Sequence, residues 1–93
     1  MPLYLIAYDV TLDKRRAKVA ALLEDYGTRV QFSVFEADLP ERALGKVLSR
    51  ARDLIDPTTD SLRAYSLCMR CRGSVIVVGK GPAAGEFEPV VVV

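Results

Sequence analysis

A chain of 93 residues fits one domain, and with 51% hydrophobic residues it has material for a real core, although a domain this small buries a modest share of its surface and gains from a partner subunit. A formal net charge of +1 excludes a globally basic nucleic-acid binder, so any basic footprint is local. The absence of histidine removes the usual general base and the commonest transition-metal ligand, which leaves a carboxylate-held hard cation, Mg²⁺ or Mn²⁺, as the route to hydrolytic chemistry.

Residues Leu3 to Val10 open the chain as a strand. Leu3, Leu5 and Ala7 line one side, and Tyr4, Ile6, Tyr8 and Val10 the other, so both faces call for cover. Thr11 and Asp13 offer N-caps for a helix running to about Tyr26, with Arg16, Val19, Ala20 and Leu23 as its inward stripe and Gly27 as its stop. Arg29 to Leu39 reads as one long bent strand or as two short strands broken near Ser33. Pro40 suits the first turn of a second helix, which carries Leu44, Val47, Leu48, Ala51 and Leu54 or Ile55 at helical spacing and closes at Asp56-Pro57. Ser61 to Leu67 and Ser74 to Val78 are further extended regions. Gly79 to Gly85 is a flexible connector, and Val90 to Val93 ends the chain as a strand.

This order predicts an α/β (α+β) fold, a ferredoxin-like split βαβ domain whose antiparallel sheet carries both helices on one face. The other face of the sheet, apolar in its first strand, predicts a homodimer packed sheet to sheet. The domain is expected to span residues 1–81. Residues 82–93 are expected to form a linker and a C-terminal strand that pairs with the partner subunit, since a free valine edge invites pairing. No basic segment with a long apolar core opens the sequence, and no apolar run approaches the ~20 residues of a membrane span, so a cytoplasmic location is expected.

Asp9 ends the first strand, where ligand sites collect in α/β folds. A carboxylate there either caps the following turn or helix, or serves as a metal ligand. In a two-fold dimer, two such charges ~5 Å apart repel by roughly 3 kcal/mol at an effective dielectric of ~20, which a divalent cation or a shared proton relieves. Lys14, Arg15, Arg16 and Lys18 cluster at the start of the next helix, and Arg29 enters the next strand. They form either a phosphate site or a solvated face with Asp13, Glu24 and Asp25 as partners. Arg16 alone falls on the inward stripe, which points to a site member or a partner of Asp9. Tyr8 and Phe35 either stack on bases or pack in the core, and Ser33 marks a tight backbone feature or donates a hydrogen bond. Cys68 and Cys71 form a single C-x-x-C, read as a short turn with two partly buried thiols, the alternative being a Cys₄ site across a dimer.

Four stretches, YDV at Tyr8–Val10, DKRRAKVAALLEDYG at Asp13–Gly27, RVQFSVFEADL at Arg29–Leu39 and the Asp60–Cys71 segment ending in LCMRC, resemble the CRISPR-associated protein two family, the small partner of the adaptation integrase. The resemblance runs to about Gly81, and its RVQ-x-SVFE run is the specific part. It implies a ferredoxin-like homodimer with a Mg²⁺ site at Asp9. It also ties Arg16 and Arg29 to nucleic-acid handling; Lys18 stands where some relatives carry arginine, and Phe35 is implicated in some members. The function implied is spacer acquisition together with metal-dependent cleavage of RNA or double-stranded DNA, with Asp9 catalytic. The alternative is a non-catalytic adaptor that bridges the integrase and holds prespacer DNA on Arg15, Arg16 and Arg29.

Overall fold

Alternation along the first strand sorts its side chains between two environments. In β1 (Leu3–Asp9), Tyr4, Ile6 and Tyr8 are buried on one side, while Leu5 and Ala7 on the other are half-buried and Asp9 is exposed. A computed structural model describes residues 2–67 together with Ile76 and Val78. After β1 come α1 (Asp13–Glu24), β2 (Thr28–Gln31), β3 (Val34–Asp38), α2 (Glu41–Leu54) and β4 (Ser61–Leu67).

The four strands form one sheet in the order β2-β3-β1-β4, with every neighbouring pair antiparallel. This is the expected ferredoxin-like arrangement. Register places Tyr4 opposite Ala37 and Ile6 opposite Phe35. Those side chains share one face and form a single core with Val19, Ala20 and Leu23 of α1 and Val47 of α2. The two helices therefore rest on the face that carries the even-numbered residues of β1. Leu5, Ala7 and Asp9 point to the opposite face, paired across β4 with Tyr65, Arg63 and Ser61.

The expected ends of α1 are corrected on both sides. Its N-cap is Leu12, with no side-chain capping bond. Thr11 turns its hydroxyl to Asp60 instead, and Asp13 is the first helical residue, its carboxylate accepting from Arg16. The helix stops at Glu24 rather than Tyr26, because the Tyr26 and Gly27 N–H groups both return to the Leu23 carbonyl and close a tight last turn. Gly27 earns its place by close approach: a Cβ there would overlap the Glu36 carbonyl oxygen. Pro40 is the N-cap of α2 rather than part of its first turn, and its carbonyl accepts the Leu44 N–H.

The Arg29–Leu39 run resolves into two strands, with Phe32 and Ser33 as the connecting turn and Gln31 facing Val34 across it. Extended backbone over Ser61–Leu67 is as expected. The expected Ser74–Val78 strand lies outside the described residues except for Ile76 and Val78, both exposed. Cys68, Cys71, the boundary at residue 81 and the C-terminal strand also lie outside them. No helix among the described residues is long and apolar enough to cross a membrane.

Candidate functional site

Asp9 is the last residue of β1 and faces solvent. Its carboxylate makes no hydrogen bond or ion pair among the described residues. It does not cap α1, so of the two expected roles the capping one is ruled out. The strand's preceding residue, Tyr8, is buried and stacks on Phe35, with ring centroids 6.3 Å apart and planes 28° apart. Its hydroxyl donates to the Phe32 carbonyl at 3.4 Å, and its N–H donates to the Ser33 carbonyl at 3.1 Å. Tyr8 thus ties the β2–β3 turn to the end of β1.

The turn from β1 into α1 wraps around Arg16. The Arg16 guanidinium group donates to the Val10 carbonyl at 3.1 Å, to the Thr11 carbonyl at 3.3 Å and to Asp13 Oδ1 at 2.6 Å. Its side chain keeps 31% of its surface exposed. Arg16 is therefore not the ion-pair partner of Asp9, because its donors are aimed at the turn carbonyls. It is a neighbour of Asp9 all the same: Tyr8, Asp9, Val10, Arg16, Phe32 and Ser33 line one cleft. A second hollow beside it is formed by Tyr8, Asp13, Arg16, Ala17, Ala20, Arg29 and Phe32.

Arg29 sits opposite Phe35 in the β2–β3 ladder. Its guanidinium carbon lies 5.3 Å from the Phe35 ring centroid, a cation–π contact, and it pairs with Glu24 at 3.6 Å. Phe35 itself is fully buried, so it supports Tyr8 and Arg29 from beneath and presents no face to a ligand. Of the residues picked from sequence, the fold thus gathers Tyr8, Asp9, Arg16, Arg29 and Ser33 around the two hollows.

Arg15 and Lys18 fall elsewhere. Arg15 points away to Asp60, with Nε–Oδ2 at 2.8 Å and further donation to Thr11 and Thr59 hydroxyls. Lys18 is exposed on α1, with no ion pair among the described residues. The Asp60 side chain is fully buried and also accepts the Thr11 N–H and hydroxyl and the Asp56 N–H. The Arg15 hydrogen bond, aided by the Asp56 and Thr11 N–H groups, holds its carboxyl far below the ordinary carboxylate range against the opposing effect of burial. Arg15 is raised in turn by Asp60.

Sequence reasoning missed two members of this region. Asp60 fixes the turn that follows Asp9, although 49 residues separate it from Thr11; no local pattern signals such a contact. Phe32, 72% exposed at the β2–β3 turn, gave no signal: it keeps the alternation of Val30 and Val34 with Gln31 and Ser33, so the pattern reads as continuous strand through it.

The donor set bears on which metal fits. Among the described residues no three His, Cys, Asp or Glu side chains gather as a cage. Asp9 offers one carboxylate per chain beside guanidinium groups. That suits a hard cation such as Mg²⁺, which takes one or two carboxylates and completes its shell with water and phosphate oxygens. It does not suit zinc, which wants nitrogen and sulfur ligands.

Comparison with known proteins bears on the family. The family model described as CRISPR associated protein Cas2 matches residues 1–75. The chain is 42% identical over 91 residues to the CRISPR-associated endoribonuclease Cas2 1 of Chloroflexus aurantiacus, covering 97% of this chain and 98% of the relative. It is 50% identical over 80 residues to the CRISPR-associated endonuclease Cas2 2 of Thermus thermophilus, covering 86% and 84%. Among solved structures, a chain of a partial Cas6-RT-Cas1–Cas2 complex superposes with a TM-score of 0.67 at 35% identity, covering 81% of this chain and 82% of that one.

Proposed function

This chain belongs to the CRISPR-associated Cas2 family, and from that premise we propose that it serves spacer acquisition as a homodimeric, Mg²⁺-dependent endonuclease centred on Asp9. The observation that carries this reading is the cleft itself. An exposed carboxylate with no partner among the described residues shares its walls with Arg16 and lies beside the hollow that Arg29 enters. Such an acid, next to cations able to take phosphate, is the arrangement that metal-assisted phosphodiester cleavage needs.

Asp9 from each subunit would hold the cation. When bound, it would polarise a phosphate oxygen and activate water. Arg16 is held by the Val10 and Thr11 carbonyls, so its charge is fixed where a phosphate would approach and needs little reorganisation. Arg29, braced on Phe35 and Glu24, adds a second positive group. The half-buried Leu5 and Ala7 on the face without helices support dimerisation through that face, which would bring two copies of Asp9 toward one axis. The names of the relatives support cleavage of RNA or DNA and do not choose between them.

The test is metal dependence on both substrates. Labelled RNA and duplex DNA are incubated with the purified protein in Mg²⁺, in Mn²⁺ and in EDTA. Cleavage with either metal and none in EDTA is expected. Cleavage undiminished in EDTA would reject the reading.

One observation favours a second reading, a non-catalytic adaptor: a structural neighbour is part of an assembly with Cas1. In that case the dimer would bridge Cas1 subunits and hold prespacer DNA through Arg16 and Arg29. Spacer acquisition in cells would then survive Asp9→Asn and fail with Arg16→Ala combined with Arg29→Ala.

A further inference from the structure

Phe32 is out of place as a packing residue. It is the most hydrophobic side chain of a two-residue turn, and 72% of its surface is open. The turn that carries it is pinned: Tyr8 donates through its hydroxyl to the Phe32 carbonyl and through its N–H to the neighbouring Ser33 carbonyl. The ring is therefore presented on a fixed support rather than swinging on a loose loop. It borders both hollows, the one with Asp9 and the one whose walls include Ala17, Ala20, Arg16 and Arg29. Two small apolar side chains and two guanidinium groups around an exposed aromatic ring make a particular chemical offer. The ring gives a flat apolar face, the alanines leave room, and the arginines supply positive charge for phosphates and for cation–π contact.

We propose that Phe32 is a stacking platform for an unpaired nucleobase, so that the site takes single-stranded nucleic acid, or the frayed end of a duplex, in preference to a fully paired one. The inference rests on the nucleic-acid reading above and adds the substrate's form to it. Inside a duplex both faces of a base are covered by its neighbours, and only an unstacked base has a face free for Phe32. Stacking on an aromatic side chain tolerates any base, because every base has a π-face. The arginines hold the backbone and Phe32 holds the base, which leaves the adjoining phosphate near Asp9.

The experiment is a binding titration of the full chain in EDTA, where cleavage does not interfere. The probes are an end-labelled single-stranded DNA and the blunt duplex of the same sequence, followed by fluorescence anisotropy. Phe32→Ala is expected to weaken single-strand binding roughly tenfold while duplex binding stays within about twofold, and Phe32→Trp to retain wild-type affinity. Equal losses for both probes, or none for the single strand, would overturn the proposal. So would a change in oligomeric state of Phe32→Ala by sedimentation, because the ring would then be covered by a second copy of the chain. Failure of the wild type to bind either probe would remove the nucleic-acid reading as well; wild-type binding indifferent to Phe32 would remove the stacking platform alone.

Discussion

Thr11, Arg15, Asp56 and Thr59 all donate to the Asp60 carboxylate, which lies buried between the β1–α1 turn and the start of β4. These bonds are strongest while Asp60 is ionised, and its ion pair with Arg15 is lost on protonation, which gives the protein an acid limb in its stability. The folded carboxyl titrates well below its ordinary value of 3.8, chiefly because of the Arg15 hydrogen bond. A depressed folded value means that the stabilisation is complete above the unfolded value and is lost as pH falls through the folded one. The thermal midpoint should therefore hold steady above about pH 5 and drop as pH falls below about 4. Asp56, lowered by its Thr58 hydroxyl and N–H contacts, adds to the same limb. Asp60→Asn should lower the midpoint at neutral pH by at least about 5 °C and flatten its decline in acid; an unchanged acid limb in that variant would show that the ion pair does not set it. At this scale the sequence is a poor guide. Asp9 stood out because it ends a strand, and Arg16 because it falls on an apolar stripe. The part Asp60 plays depends on a contact across most of the chain, and periodicity carries no trace of it.

Elements were more legible than contacts. The period-two pattern of β1, the helical spacing of Leu44, Val47, Leu48 and Ala51 in α2, and the extended run of β4 all appear where composition and spacing placed them. The break at Phe32 and Ser33 remained open, because Arg29 to Leu39 is equally plausible as one strand or two until the Tyr8 bonds to that turn are seen. Helix α1 ran short of its predicted end because the Tyr26 and Gly27 N–H groups close a tight last turn on Leu23, and β3 approaches Gly27 just beyond it. That approach yields a prediction: Gly27→Ala should destabilise the fold by about 1–3 kcal/mol, since the backbone of β3 has to yield to the added methyl group. Chemical denaturation would measure it, and a neutral effect would mean that the two elements separate more easily than described. Phe35 lies deeper, fully buried beneath Tyr8 and Arg29. Phe35→Ala should lower stability by about 3–5 kcal/mol and disturb the site through its two neighbours. Phe35→Leu should recover most of the stability without the cation–π contact, which separates the packing role of the ring from its hold on Arg29.

For the molecule as a whole, charge is local rather than global. With a net charge of +1, the proposed nucleic-acid binding would rest on Arg16, Arg29 and their surroundings rather than on the entire surface. Nucleic-acid affinity should then fall with salt at a shallow slope, set by about two to four phosphate contacts per dimer at ~0.9 per contact. A slope twice as steep would point to a basic surface beyond the two hollows. Among the described residues both helices lie on one sheet face and Asp9 stands on the rim of the other, so the proposed dimer and the proposed site draw on the same arrangement of strands.

In the proposed reaction the Asp9 carboxylate carries the chemistry while Arg16 and Arg29 carry the charge. The decisive measurement is the cleavage rate of Asp9→Asn at saturating Mg²⁺, with circular dichroism and sedimentation matched to the wild type. A folded protein of unchanged oligomeric state is expected, with a rate lower by at least about a hundredfold. A folded Asp9→Asn protein that cuts at the wild-type rate would contradict the proposal.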